Sequence, residues 1–290
     1  MSRIKKNFSI KLKNRYNVCI RSCFRISSFM TSMKGAVLLI MLFFNNAEAS
    51  EDVMPPKKMH WAFDGMTGKF DYESIQRGFK VYKEVCSACH AVKHLNFRNL
   101  ESVGFSEDQV KSLAAGYDIQ DGPNDEGQMF KRPGRPSDII PGPYANDKEA
   151  RASNNGALPP DLSLIIKARE NGANYVYSLL TGFQTPPEGF KVGENMHYNP
   201  YFAGGGRQLA MTPPLVSKGQ VQFDDGTEAT IEQMSHDVVN FLQWAAEPEM
   251  QERKSMGVRV LIFIGILGIM MWFANKAVWK HLKDNNKNDN

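Results

Sequence analysis

The sequence predicts a mainly α-helical domain with long loop insertions, followed by one C-terminal transmembrane helix. Three observations carry that expectation. Apolar residues recur at helical spacing over 71–86 and 230–245, each time behind a capping residue. Between such stretches lie long segments rich in Gly, Pro, Asp and Asn with little periodicity. Near the end, residues 256–279 enclose an uninterrupted apolar core over 260–274. A chain of 290 residues with 42% hydrophobic content has room for one large domain or two small ones.

In chain order the first feature is a leader. Residues 1–34 hold nine Lys or Arg and no acid, the run 35–44 (GAVLLIMLFF) is apolar, and Ala47-Glu48-Ala49 follows. A basic region, a short apolar core and an A-x-A site read as a secretory signal over 1–49. The apolar run is too short to span a bilayer. Its basic part is long, and Met30 or Met33 ahead of Lys34 would start a more compact one. The mature protein then begins near Ser50, and Cys19 and Cys23 leave with the leader. Cys86 and Cys89 remain, so no structural disulfide is expected although the destination is oxidising.

Asp71 can cap a first helix, in which Ile75, Phe79, Tyr82 and Cys86 share one stripe. Gly78 at the edge of that stripe would let another helix cross closely. The helix delivers Val85-Cys86-Ser87-Ala88-Cys89-His90. C-x-x-C-H is the pattern of covalent haem attachment. Thioether bonds from Cys86 and Cys89 would hold the porphyrin edge, and His90 would reach the iron. A helical turn brings both sulfurs to one face and leaves the next side chain pointing across the ring. A redox dithiol would not require the histidine, and no βαβ pattern surrounds this one. A zinc site would need further ligands at short spacing, and the mature chain has no other cysteine to give.

A second helix should start at the capping box Ser106-Glu107-Asp108-Gln109 and stop at Gly116. The loop over 117–157 holds an acidic cluster, Asp118, Asp121, Asp125 and Glu126, which reads equally as solvated turn or docking surface. Leu158-Pro159-Pro160-Asp161-Leu162 opens a further helix, capped by Asp161 or Ser163 and ending near Asn171-Gly172. A short one follows from Asn174 to Gly182. Residues 221–223 and 228–230 could pair across Asp225-Gly226 as a hairpin. Thr230 and Gln233 form a capping box for the last soluble helix, with Met234, Val238, Phe241, Leu242 and Ala245 inside. Phe241 and Trp244 are the expected partners of the Gly78 and Phe79 edge.

The apolar core over 260–274 rises about 22 Å as a helix, so the span borrows from its flanks. Arg259 and Lys276 would snorkel, with Trp272 and Trp279 near an interface. A buried soluble helix is the competing reading, but only a polar tail follows. That tail holds Lys276, Lys280, Lys283 and Lys287, whereas Glu247, Glu249 and Glu252 precede the span beside Arg253 and Lys254. The more basic side stays inside. Residues 50–255 then form a domain on the periplasmic or intermembrane-space side, 256–279 the anchor and 280–290 a cytoplasmic tail. The leader's +8 and the +4 of residues 251–290, set against a chain total of +4, leave −8 on residues 50–250. An acidic working domain attracts a basic soluble partner and repels nucleic acid.

A haem iron also needs a decision about its second axial position, which separates electron carriage from small-molecule chemistry. Among fifteen methionines, Met211 stands apart. It lies in a non-helical stretch between Gly204-Gly205-Gly206 and Pro213-Pro214. Glycines there would let the chain approach the ring, and prolines would stiffen the strand presenting the sulfur. Met196, Met129 and Met234 rank behind it, with His197 or His236 as the bis-histidine alternative. His94 reads as a surface residue.

The sequence closely resembles the cytochrome c1 family, the membrane-anchored haem subunits of quinol:cytochrome c oxidoreductase. The resemblance covers nearly all of residues 50–280. It rests on CSACH, on FKRPGRPSD over 130–138, on NNGALPPDLS over 154–163, on LLTG over 179–182, on NPYF over 199–202, on MTPP over 211–214, and on the C-terminal anchor. CSACH is common to many cytochromes; the others together are specific. The resemblance implies a class I cytochrome c-like haem domain holding one covalent haem c. It implies His90 and Met211 as axial ligands, and Arg151 beside a haem propionate, where a guanidinium would pair with the carboxylate. It further implies that cytochrome b and the Rieske iron-sulfur protein share its complex and that a cytochrome c accepts its electrons. The subunit would have no catalytic site of its own, and its span would contact membrane lipid. Some relatives carry an extra cysteine pair after the haem motif; this chain has Gln184 where one would be sought.

Overall fold

The computed structural model describes residues 53–288, with side chains to residue 280. The expected leader, with Cys19 and Cys23, lies outside the described residues, as do the tail side chains beyond Lys280. In order come α1 (Tyr72–Glu84), α2 (Glu107–Ala115), β1 (Asp118–Asp121), β2 (Phe130–Pro133), α3 (Asp147–Ser153), α4 (Gly172–Leu180), β3 (His197–Tyr198), β4 (Gln208–Leu209), α5 (Ile231–Ala246) and α6 (Met250–Asn288). Tight 3-10 turns occupy Cys86–Ala88 and Phe97–Val103. The protein is thus mostly helical, with one long apolar C-terminal helix.

The frame is α1 packed on α5. Asp71 caps α1 by accepting the Ser74 amide at 3.1 Å, and Thr230 caps α5 by accepting the Gln233 amide at 3.0 Å. The second half of the expected box at Thr230 is absent, because the Gln233 amide group donates instead to Asp237 at 3.0 Å. Gly78 sits where the helices meet. A Cβ built there would fall 2.0 Å from the Asp237 carbonyl oxygen and 2.9 Å from Phe241 Cβ, so no larger residue permits the approach. Phe241 meets Phe79 at 5.6 Å, Tyr82 at 5.5 Å and Trp244 at 6.0 Å between ring centroids. Burying each such ring stabilises by about 2–3 kcal/mol.

A charged cluster also crosses the frame. Asp237, fully buried, accepts from Ser74 Oγ at 2.6 Å and from Arg77 Nε at 2.8 Å. Burial pushes its pKa up, but hydrogen bonds from His236, Arg77, Ser74 and Gln233 outweigh this and hold it below the ordinary carboxylate value. Arg77 also reaches Asp225 at 2.7 Å, tying the turn before α5 to α1.

The capping box predicted α2 well: Ser106 Oγ accepts the Gln109 amide at 3.2 Å, and Gln109 Oε1 accepts the Ser106 amide at 2.8 Å. Elsewhere the loops differ from expectation. The segment after Pro160 forms a run of turns and not a helix, because Asp161 and Ser163 spend their side chains on the loop following His90. No ladder joins 221–223 to 228–230. Asp225 instead accepts the Thr227 amide at 3.0 Å, and Gly219 bonds back to Ala229 at 2.8 Å. The strands lie in the long loops: β1 pairs antiparallel with β2, and β3 with β4.

α6 begins upstream of the expected span, at Met250. Over Met250–Lys280 it is long and apolar enough to cross a membrane, and its large apolar side chains over 260–273 are exposed. In water that surface would be costly; in hydrocarbon it is the ordinary exterior of a single span.

Candidate haem site

α1 ends at Val85 and the chain tightens into the turn Cys86–Ala88. The Cys86 carbonyl accepts the amides of both Cys89, at 3.1 Å, and His90, at 2.9 Å. This folds C-x-x-C-H into one compact unit at the helix end. Ser87 Oγ donates to the Lys83 carbonyl at 2.7 Å, and Tyr82 Oη donates to the His90 carbonyl at 3.1 Å. Cys86 is half-buried and Cys89 exposed. Burial, with a smaller contribution from Cys89, pushes the Cys86 thiol up to about 12. Its side chain packs on the core cluster beside α1.

The decisive contact is at His90. Its Nδ1 lies 2.8 Å from the Pro160 carbonyl oxygen, across a sequence separation of 70 residues. A carbonyl can only accept, so Nδ1 carries the proton and Nε2 keeps its lone pair. Burial lowers the His90 pKa, against smaller opposing effects of the Pro160 carbonyl and Asp161, so the ring is neutral at pH 7. A neutral imidazole with Nδ1–H bonded to a carbonyl is the state a metal ligand requires.

The loop that supplies Pro160 is laced to the loop after His90. The Leu162 amide donates to the Ala91 carbonyl at 2.8 Å. Asp161 accepts the Lys93 amide at 2.9 Å, and Ser163 Oγ accepts the His94 amide at 3.1 Å. A second lace runs beside it: the Phe97 amide donates to the Asp138 carbonyl, Arg98 to Pro136, and Ile140 to Leu95. Asp138 in turn holds Arg132 at 2.6 and 2.9 Å, and Arg132 also pairs with Asp121. One member of the acidic cluster expected from sequence is therefore engaged in the ribbon β1–β2, while Asp118, Asp125 and Glu126 stay exposed or at its edge.

Met211 follows β4 directly and is half-buried. The stretch is held upstream by the β3–β4 pair and downstream by Gln220, which donates to the Pro214 carbonyl at 2.8 Å and accepts the Val216 amide at 2.9 Å. A Cβ on Gly205 would fall 2.9 Å from the Gln208 carbonyl oxygen, and Gly206 has φ +63°, so these residues close the turn onto β4. Met196 and His197 lie on the other side of that ribbon, both half-buried. Met234 is fully buried in the core and Met129 is largely exposed beside β2. His236 stacks on Trp61 at 4.9 Å and its Nδ1 lies 3.2 Å from Asn240 Nδ2, which gives it a packing role. His94 is exposed, as expected.

Arg151 lies exposed on α3 and donates to the Gly156 carbonyl at 3.0 Å, bracing the turn 154–156. A guanidinium carries five N–H donors, so this bond leaves capacity for a carboxylate.

Paired cysteines, a neutral histidine with its Nδ1 committed, and a presented thioether fit a covalently held haem. Among the described residues no group of three or more His, Cys, Asp or Glu gathers as a metal site. Residue chemistry, with one helix among the described residues long and apolar enough to cross a membrane, is that of a membrane-tethered haem protein.

Comparison with known proteins gives the family. The cytochrome c1 family model matches residues 61–282. Cytochrome c1 of Rhodospirillum rubrum is 44% identical over 261 residues, 84% of this chain and 95% of that protein. A mitochondrial cytochrome c1 haem protein of Arabidopsis thaliana is 43% identical over 255 residues, 87% of this chain and 82% of that one. A cytochrome b/c1 of Bradyrhizobium diazoefficiens is 44% identical over 276 residues, 88% of this chain and 40% of its own length. The chain belongs to the cytochrome c1 family.

Proposed function

We propose that this protein is the haem-bearing electron-transfer subunit of a quinol:cytochrome c oxidoreductase. The observation that carries the reading is the His90 Nδ1 to Pro160 contact at the end of the C-x-x-C-H turn, because it prepares Nε2 for iron. Cys86 and Cys89 would hold the group through thioether bonds, His90 and Met211 would ligate its iron, and Arg151 would pair with a propionate. When bound, haem c supplies a reversible one-electron couple. The chain's part would be to fix both iron donors and to close the site to small molecules through Met211.

In this reading the domain over 50–255 is a class I cytochrome c-like core with long loop insertions, exported behind the leader 1–49 and held by the anchor 256–279. The cytochrome b/c1 relative supports a complex that includes cytochrome b. The Rieske iron-sulfur protein donates electrons singly, and a cytochrome c accepts them. No bond is made or broken on this subunit, so no general acid or base is assigned. The −8 of residues 50–250 would speed encounter with a basic acceptor. Purification from native membranes tests this: one covalent haem c per chain should copurify with a b-type cytochrome and an iron-sulfur protein. A chain carrying covalent haem but travelling with a terminal oxidase would overturn the assignment to this complex.

A further inference from the structure

We propose that Asp161 and Ser163 are positioning residues for His90, setting the Pro160 carbonyl against Nδ1 and so fixing the ring's rotation and its donor strength toward the iron. The inference rests on the proposed haem ligation and goes beyond it. Nothing local holds Pro160 near His90, since 70 residues separate them. Pro159 and Pro160 fix their own φ angles and drive the residue before each into extended backbone, which presents carbonyls stiffly but does not aim them. Aim comes from the rungs on the far side of Pro160.

Three rungs do this. One is backbone only, Leu162 to Ala91 at 2.8 Å. The other two use side chains: Lys93 to the Asp161 carboxylate at 2.9 Å, and His94 to Ser163 Oγ at 3.1 Å. Asp161 braces itself by accepting the Ser163 amide at 2.9 Å on its other oxygen, so the two side chains act as one clamp. Ser163 is fully buried, and unpaired donors there would be costly. The partners are the backbone amides that follow His90 by three and four positions. A shift in the clamp therefore moves both ends of the His90 to Pro160 bond.

Loss of that bond removes electron density from the imidazole, and loss of the Asp161 charge removes a term that favours the oxidised iron. Both changes raise the midpoint potential. The test uses the full chain with its haem in detergent-solubilised membranes, read by electron paramagnetic resonance of the oxidised state, whose g values follow the axial ring's rotation, and by redox titration. Ser163→Ala and Asp161→Asn should each shift the g values and raise the potential, and Ser163→Thr should restore the parent values. Ser74→Ala, in the α1–α5 cluster away from His90, should lower thermal stability and leave both readouts unchanged. If Asp161→Asn fails to accumulate, the Ser163 pair still decides. Unchanged g values and potential in Ser163→Ala, or an equal shift in Ser74→Ala, would overturn the proposal while leaving the haem ligation intact. A parent protein lacking a low-spin histidine-ligated signal would instead overturn the ligation itself.

Discussion

The α1–α5 frame and the laced face around His90 are built by different forces. In the frame, Phe79, Tyr82, Phe241 and Trp244 interlock with little or no exposure, and Gly78 admits the helices to contact. In the lace, residues 91–98 meet 136–140 and 160–163 through single hydrogen bonds spanning many tens of residues. Apolar burial gives the first its stability; fixed donor geometry gives the second its function. The frame holds the end of α1, and the lace decides which way the His90 ring faces.

The largest way to break that division is to damage the frame. Arg77→Ala leaves the buried Asp237 carboxylate without its guanidinium, and should cost about 3–4 kcal/mol of unfolding free energy. Gly78→Ala drives a methyl into the Asp237 carbonyl and should cost about 3 kcal/mol. Thermal or chemical denaturation of the purified protein checks both; a loss under 1 kcal/mol for Gly78→Ala would mean that α1 and α5 can slide apart freely.

Arg132→Gln sharpens the comparison from the other side. It unlatches Asp138 and Asp121, so hydrogen exchange should quicken over 118–121 and 130–140 while α1 and α5 stay protected. Exchange rising uniformly through both regions would deny that the lace opens separately. The same latch should respond to acid. Hydrogen bonding from Arg132 first, with the Arg135 amide, holds Asp138 at about 2 against an ordinary 3.8. A depressed carboxylate stabilises the fold fully above its ordinary value and loses that contribution as pH falls through about 2. Asp237, also depressed, adds to acid sensitivity in the same direction. Asp138→Asn should flatten the loss of 130–140 protection below pH 4. The smallest effect belongs to Ser106→Ala, which removes one cap and should cost about 1 kcal/mol without altering the haem spectrum.

The frame was legible in sequence for the reason that it is stable. Asp71, Thr230 and the period of Ile75, Phe79 and Tyr82 are local signals, and Gly78 beside Phe79 marks a close crossing. C-x-x-C-H was legible because covalent haem attachment, as proposed, would fix its spacing. The lace was not, because its partners are distant and aperiodic. Asp161 and Ser163 look like helix caps in a one-dimensional reading, and they do accept backbone amides, but those of Lys93 and His94. Gly204–Gly206 close the turn onto β4, a role that the sequence pattern did not announce. The ribbon β1–β2 gave no alternating pattern, since its strands expose both faces and are held by Arg132. Proline pairs signalled stiffness at 159–160 and 213–214 without saying what they stiffen; the hydrogen bond to His90 supplies one answer.

In the proposed reading, His90 and Met211 would ligate both faces of one covalent haem. An optical redox titration of detergent-solubilised membranes, repeated under carbon monoxide, tests it most directly. The membranes should show a single c-type couple of high potential with no spectral change in the reduced protein under carbon monoxide, and a carbon monoxide complex once Met211→Ala opens the site. A low potential, or carbon monoxide binding by the unaltered protein, would contradict Met211 ligation and shift the assignment toward bis-histidine coordination or small-molecule chemistry.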